Sequence, residues 1–160
     1  MAGNAINLSS AGVSLNYAVE TTAGTMPTTG FTKLTGIKAI PDIDPEPSNL
    51  DATTLDDLEW MSYIAGLKDP GGAVGFTANN TEVFQTEWAA LCEAAATGLA
   101  AGKATWFAVI IPGLTKAFMF SGIPSDLGLS AIEVDSVLEV NAYVTPNKIA
   151  GWEAKPTAGE

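Results

Sequence analysis

The chain has 160 residues, 47% of them hydrophobic and only 16% charged, with a net charge of −11 and a pI of about 4.2. All seven basic residues are lysines, so there is no guanidinium fork to grip phosphate or read guanine and no imidazole for the common zinc sites or a histidine general base. The acidic balance predicts repulsion from nucleic acid and anionic membranes, and the length suits one domain over residues 1–160 with a core of its own.

Residues 1–11 are small and polar and read as a flexible arm. From Gly12 to Glu20, Val13, Leu15 and Tyr17 alternate with Gly12, Ser14 and Asn16, the period of a strand. A Thr/Gly/Pro loop leads to a second expected strand, residues 31–40, with Gly36 as a candidate bulge. Residues 41–72 are the most unusual stretch. Pro41, Pro45 and Pro47 forbid a helix or a central strand there. Seven acids and no lysine lie between Asp42 and Glu59. Yet Leu55, Leu58, Trp60, Met61, Tyr63 and Ile64 follow closely, too many apolar side chains for a purely disordered loop. The expectation is an extension that becomes ordered on meeting a partner.

Residues 73–79 read as a third strand. Residues 80–98 read as the helix, with Asn80 or Thr81 as cap, Glu82 at the positive end of the dipole and Gly98 as the stop. Phe84, Trp88, Leu91 and Ala95 form one apolar stripe, which predicts packing on a sheet. Residues 103–111 and 116–123 form a hairpin turning at Pro112–Gly113, and residues 126–130 are a candidate short strand. Residues 131–145 alternate most cleanly of all, and Pro146 is expected to end that strand, leaving 146–160 as a tail. The fold class is mainly β: an antiparallel sandwich or barrel of two packed sheets, one flanking helix at about 80–98 and a long loop at 41–72.

Catalytic and ligand-binding patterns are weak. Asp42, Asp44 and Glu46 resemble the start of a calcium loop, but its glycine and final glutamate positions hold Pro47 and Thr53. Asp56, Asp57 and Glu59 are loop carboxylates without a supporting site. Cys92, the only cysteine, excludes an internal disulfide, has no histidine to activate it and reads as a buried structural thiol. The glycines of residues 66–75 lack a phosphate-binding order. Trp60, Tyr63, Trp106 and Trp152 are not interleaved with a basic stripe, so packing is the better reading than base stacking. No secretory leader or membrane span is legible, which predicts synthesis in the cytoplasm. No enzyme, cofactor or metal site is expected.

Taken in order, GVSLNYAVET (12–21), the Pro/acid stretch at 40–47, LDATTLDD (50–57), YIAGLKDPGG (63–72), GFTANN (75–80), the helix and the hairpin WFAVIIPG…FMFSG resemble the tail tube protein, or major tail protein, of long-tailed phages and prophages. The resemblance implies two packed antiparallel sheets with a flanking helix. It also implies hexameric rings stacked into a hollow tube for DNA, in a virion tail assembled in the bacterial host cytoplasm. The implied partners are further copies of the chain, with tape measure, tail terminator and tail-tip proteins at the tube's ends; DNA passes without specific binding, and no membrane is involved. By position, the loop at 41–72 reaches the neighbouring ring, so Leu50, Asp51, Thr53, Thr54, Leu55, Leu58, Trp60, Tyr63 and Ile64 are the expected subunit contacts. Two alternatives are a tube subunit of a contractile tail, tailocin or secretion system, and a monomeric β-sandwich binding or decoration module.

Overall fold

The computed structural model describes residues 8–45 and 47–156. In chain order its elements are β1 (Ser14–Val19), β2 (Thr32–Lys33), β3 (Ile37–Ala39), β4 (Asn49–Asp51), β5 (Tyr63–Ala65), β6 (Val74–Asn79), α1 (Glu82–Ala100), β7 (Thr105–Ile110), β8 (Lys116–Pro124) and β9 (Glu139–Ala154). Seven strands form one antiparallel sheet in the order β2-β1-β7-β8-β9-β6-β3, and β4 and β5 form a separate ribbon. The mainly β, antiparallel architecture with one helix is as expected, and the larger sheet takes the barrel-like form.

Connectivity explains the curl. The expected strand at 31–40 is instead two short strands on opposite edges of the sheet, β2 beside β1 and β3 beside β6. Only Leu34, Thr35 and Gly36 lie between Lys33 and Ile37, and the four steps can span at most about 14 Å. Seven strands laid flat would put the outer two about 29 Å apart. The sheet must therefore bend until its edges nearly meet. Gly36 is not a bulge but the corner of this crossing, at φ 82°, where glycine has no steric penalty. At the corner, the backbone N–H and hydroxyl of Thr35 donate to the two carboxylate oxygens of Glu87 on α1, at 2.7 and 2.8 Å.

Helix α1 covers the concave face. Thr81 is its cap, accepting from the Phe84 N–H at 3.2 Å. Phe84, Trp88 and Leu91 enter a cluster with Leu15, Phe76, Phe107, Phe120, Val140 and Val144. Gly98 does not stop the helix. A Cβ there would lie 2.7 Å from Val19 Cγ1, so glycine permits close approach to β1, and the helix ends before Gly102 at φ 74°.

The convex face holds a second cluster, in which Ala18, Trp106, Ala108, Ala117 and Met119 are covered by Phe31 and Met26 from the loop after β1. Glu20 pins that loop. Its carboxylate is 5% exposed and accepts from the N–H groups of Ala104 (2.7 Å) and Gly24 (3.2 Å) and from Trp106 Nε1 (3.1 Å). Burial alone would push its pKa up, but these hydrogen bonds, with the nearby Lys148 charge, hold it below the ordinary value. Stability from Glu20 is thus present above the ordinary glutamate range and lost as the pH falls through the depressed value. Glu20→Gln is expected to cost about 1–3 kcal/mol at neutral pH, because donors lose a charged acceptor. Urea unfolding at neutral and acidic pH checks this: the gap between the two proteins should narrow in acid.

The last strand departs most from expectation. Residues 131–138 are not strand, and neither are 126–130. β9 starts at Glu139 because that residue pairs with Asn79, the last residue of β6; earlier residues have no strand to join. Pro146 does not end β9, which runs on to Ala154, so most of the expected tail at 146–160 is sheet, with 157–160 outside the described residues. Proline is tolerated because β6 no longer flanks β9 there and the register with β8 shifts at Ser121/Gly122. Gly122 faces Pro146, and a Cβ on it would meet the Thr145 carbonyl oxygen at 2.8 Å. Of the expected arm at 1–11, residues 1–7 lie outside the described residues and 8–11 are exposed.

Candidate assembly surfaces

Residues 41–72 leave and rejoin the sheet at adjacent points. Ile43 packs against the main core. Beyond it the chain forms the β4–β5 ribbon, with Asn49, Leu50 and Asp51 opposite Ala65, Ile64 and Tyr63. Two further backbone bonds extend the pairing, Ala52 N–H to the Ser62 carbonyl (2.8 Å) and Gly66 N–H to the Ser48 carbonyl (2.6 Å). The expected contact residues are brought together here. Leu50 and Ile64 lie across from each other and are about half exposed, as is Tyr63. Leu55 (100%), Leu58 (90%) and Trp60 (82%) stand in solvent at the tip.

Polar groups of the chain itself brace the backbone of the tip. Thr53 N–H donates to Asp51 Oδ1 at 2.9 Å, and Ser62 N–H donates to Thr53 Oγ1 at 2.9 Å. Thr54 N–H donates to Asp57 Oδ2 at 2.8 Å, while Asp57 N–H returns to the Thr54 carbonyl at 3.1 Å. The hydroxyl and N–H of Thr53 hold the Asp51 carboxyl below the usual carboxylate range. Such side-chain-to-backbone bonds are what Asp, Ser and Thr offer in turns. They use Asp51 and Asp57 as braces and leave Leu55, Leu58 and Trp60 outside, a hydrogen-bonded apolar tip in an acidic frame.

A second exposed apolar segment went unread in the sequence. Leu129, Ile132, Val134 and Val137 are each more than 60% exposed in the connection from β8 to β9. A local turn breaks the alternation: Asp135 adopts φ 57°, and Ser136 Oγ donates to the Glu133 carbonyl at 2.9 Å. The Asp–Ser pair was the available signal.

The remaining candidates scatter. Asp42 and Asp44 are exposed, and Glu46 lies outside the described residues. Among the described residues, no three Asp, Glu or Cys side chains gather around a point that could hold one ion. Cys92 is half-buried, its Sγ 3.8 Å from the Ser125 carbonyl. Burial, with the Asp126 charge, raises its pKa, which disfavours the reactive thiolate. It lines a hollow of about 290 Å³ with Trp88, Asp126, Leu127 and Val140. Trp106 is buried, whereas Trp152 is half exposed and packs edge-on against Phe118 at 5.6 Å. No described helix is long and apolar enough to cross a membrane.

No protein-family model and no curated protein matches the sequence. Among solved structures, the chain is similar to one in the cryo-EM structure of the anti-feeding prophage (AFP) baseplate, 6-fold symmetrised. That likeness has a TM-score of 0.56 at 8% identity and covers 93% of this chain and 95% of the other. A weaker likeness, TM-score 0.42 at 9% identity, is to a chain of the phage p2 baseplate in its activated conformation with Sr; it covers 86% of this chain and 45% of that one. At such identities the first likeness is one of fold.

Proposed function

We propose that this chain is a structural subunit of a phage-type tail that closes into rings, six-membered on this reading, which stack as a hollow tube for DNA. The observation that carries the reading is the braced ribbon that holds Leu55, Leu58 and Trp60 in water. A chain acting alone gains nothing from holding such side chains in solvent, whereas burial against a second copy stabilises by roughly 1.5–3 kcal/mol per side chain. The fold shared end to end with a chain of a six-fold symmetrised baseplate supports the same class. Rings need a contact that closes and stacks need a second, head-to-tail contact; the ribbon and the 125–138 segment are two separate apolar surfaces for these roles. The net charge of −11 suits a wall that nucleic acid slides past. On this reading the chain is not an enzyme, and its partners are its own copies and the proteins capping the tube.

The similarity to a baseplate chain favours one second reading, a ring that begins or ends a tube without continuing it. Negative-stain electron microscopy over a concentration series, with light scattering on the same samples, separates the two. The tube reading expects long hollow stacks; single or paired rings that never lengthen favour the baseplate ring. Monomers at every concentration, also when seeded with tail-tip complexes, overturn both in favour of a monomeric binding module.

A further inference from the structure

The next inference rests on the tube reading and concerns the surface that receives the ribbon. β9 pairs with β6 from Glu139 to Val144 and with β8 from Val144 to Ala154, so both strands flank it only at Val144, and beyond that residue it is paired with β8 alone. Among the described residues, no backbone hydrogen bond reaches the other side of residues 145–154. The outermost strands β2 and β3 have only two and three residues, so this is the longest open edge of the large sheet. Its outward N–H and C=O groups are a template for another strand.

Charge and shape at this edge mirror the ribbon. Residues 114–124 and 145–156 carry Lys116, Lys148 and Lys155 against one acid, Glu153, in a chain of net charge −11, and all three lysines are exposed. Between them, Trp152 lines a hollow of about 240 Å³ with Leu114, Thr115 and Lys116. The ribbon is acidic, without lysine from Asp42 to Glu59, and its tip presents Leu58 and Trp60. Among the described residues, its two strands pair only with each other and keep free outer edges.

We propose that the β4–β5 ribbon of one copy docks along the open edge of β9, residues 145–154, in the next copy, continuing its sheet. The tip acids Asp56 and Glu59 then face the lysines of the edge, Lys116, Lys148 and Lys155, and an apolar tip side chain fills the hollow beside Trp152. The contact is heterologous, so it can repeat head to tail from copy to copy, as a stack requires.

A charge exchange in the full-length protein tests this. The edge variant K116E/K148E/K155E and the tip variant D56K/E59K, which keeps the Asp57 brace, each oppose like charges when alone. Each is expected to raise the concentration needed for sedimentable assembly by roughly tenfold or more. An equal mixture restores assembly, because each variant's tip meets the other's edge with opposite charge. The control K33E/K103E, which removes lysines elsewhere, assembles as wild type. Thermal melts confirm that both variants are folded, and rescue by mixing could not come from misfolded chains. If the edge variant assembles as readily as wild type, or two folded variants fail to rescue each other, the docking surface is overturned and the tube reading stands. If wild type itself never assembles, the tube reading falls, and this inference with it.

Discussion

Replacing residues 49–65 by a short glycine-serine turn should leave the melting temperature within about 2 °C of wild type and abolish the proposed tube formation. The cut is sterically simple, because Ser48 and Gly66 are already joined by a 2.6 Å hydrogen bond. None of the removed residues belongs to either core cluster, and those of β4 and β5 are exposed throughout. Surface changes of that kind move stability by a few tenths of a kcal/mol. Assembly is another matter. If Leu50, Leu55, Leu58, Trp60, Tyr63 and Ile64 each recovered a third of the roughly 1.5–3 kcal/mol of full burial, the contact would lose about 3–6 kcal/mol, a hundredfold or more in critical concentration. Microscopy of the deletion variant beside its calorimetric melt checks both halves. Tubes of normal length would remove the ribbon from the stacking contact.

The second large effect lies in the core. Trp88→Ala is expected to cost about 3–5 kcal/mol and to lower the melting temperature by roughly 6–20 °C. Trp88 is 1% exposed, stacks on Phe84 at 5.9 Å and donates its Nε1–H to the Ser125 carbonyl at 2.8 Å. Alanine opens a cavity between helix and sheet and releases the residue that begins the 125–138 segment. Trp88→Phe keeps most of the packing and loses the hydrogen bond, so it should cost clearly less. Denaturant melts of the two variants separate packing from hydrogen bonding. Equal losses would mean that the Ser125 contact dominates.

What the sequence disclosed tracks the range of the interactions involved. The helix is legible because Thr81, Glu82 and the Phe84–Trp88–Leu91 stripe act within a few turns of one another, and the β7–β8 hairpin because Pro112–Gly113 turns it locally. Residues 31–40 misled because one apolar run serves two opposite edges, a fact settled by β1 before it and by β6 some 40 residues after it. Residues 131–138 misled because alternation marks a strand only where a partner strand exists, and β6 gives out at Asn79. The apolar and acidic character of the ribbon was plain in residues 50–64, but its hydrogen-bonded bracing depends on Thr53 meeting Ser62 across the turn. An open edge leaves no mark in composition at all. It exists at residues 145–154 only because β6 is shorter than β9.

The place of β9 between β8 and β6 bears on timing during translation. Ribosomes deliver the ribbon's residues early, yet β6 has only the short β3 beside it until β9 emerges. Among the described residues, this late strand is the one that pairs with both halves of the sheet, β2-β1-β7-β8 and β6-β3. A nascent chain therefore shows its apolar ribbon before it owns the edge proposed to receive one. Neighbouring chains on a polysome cannot capture each other through that pair of surfaces until one of them has been made beyond residue 154.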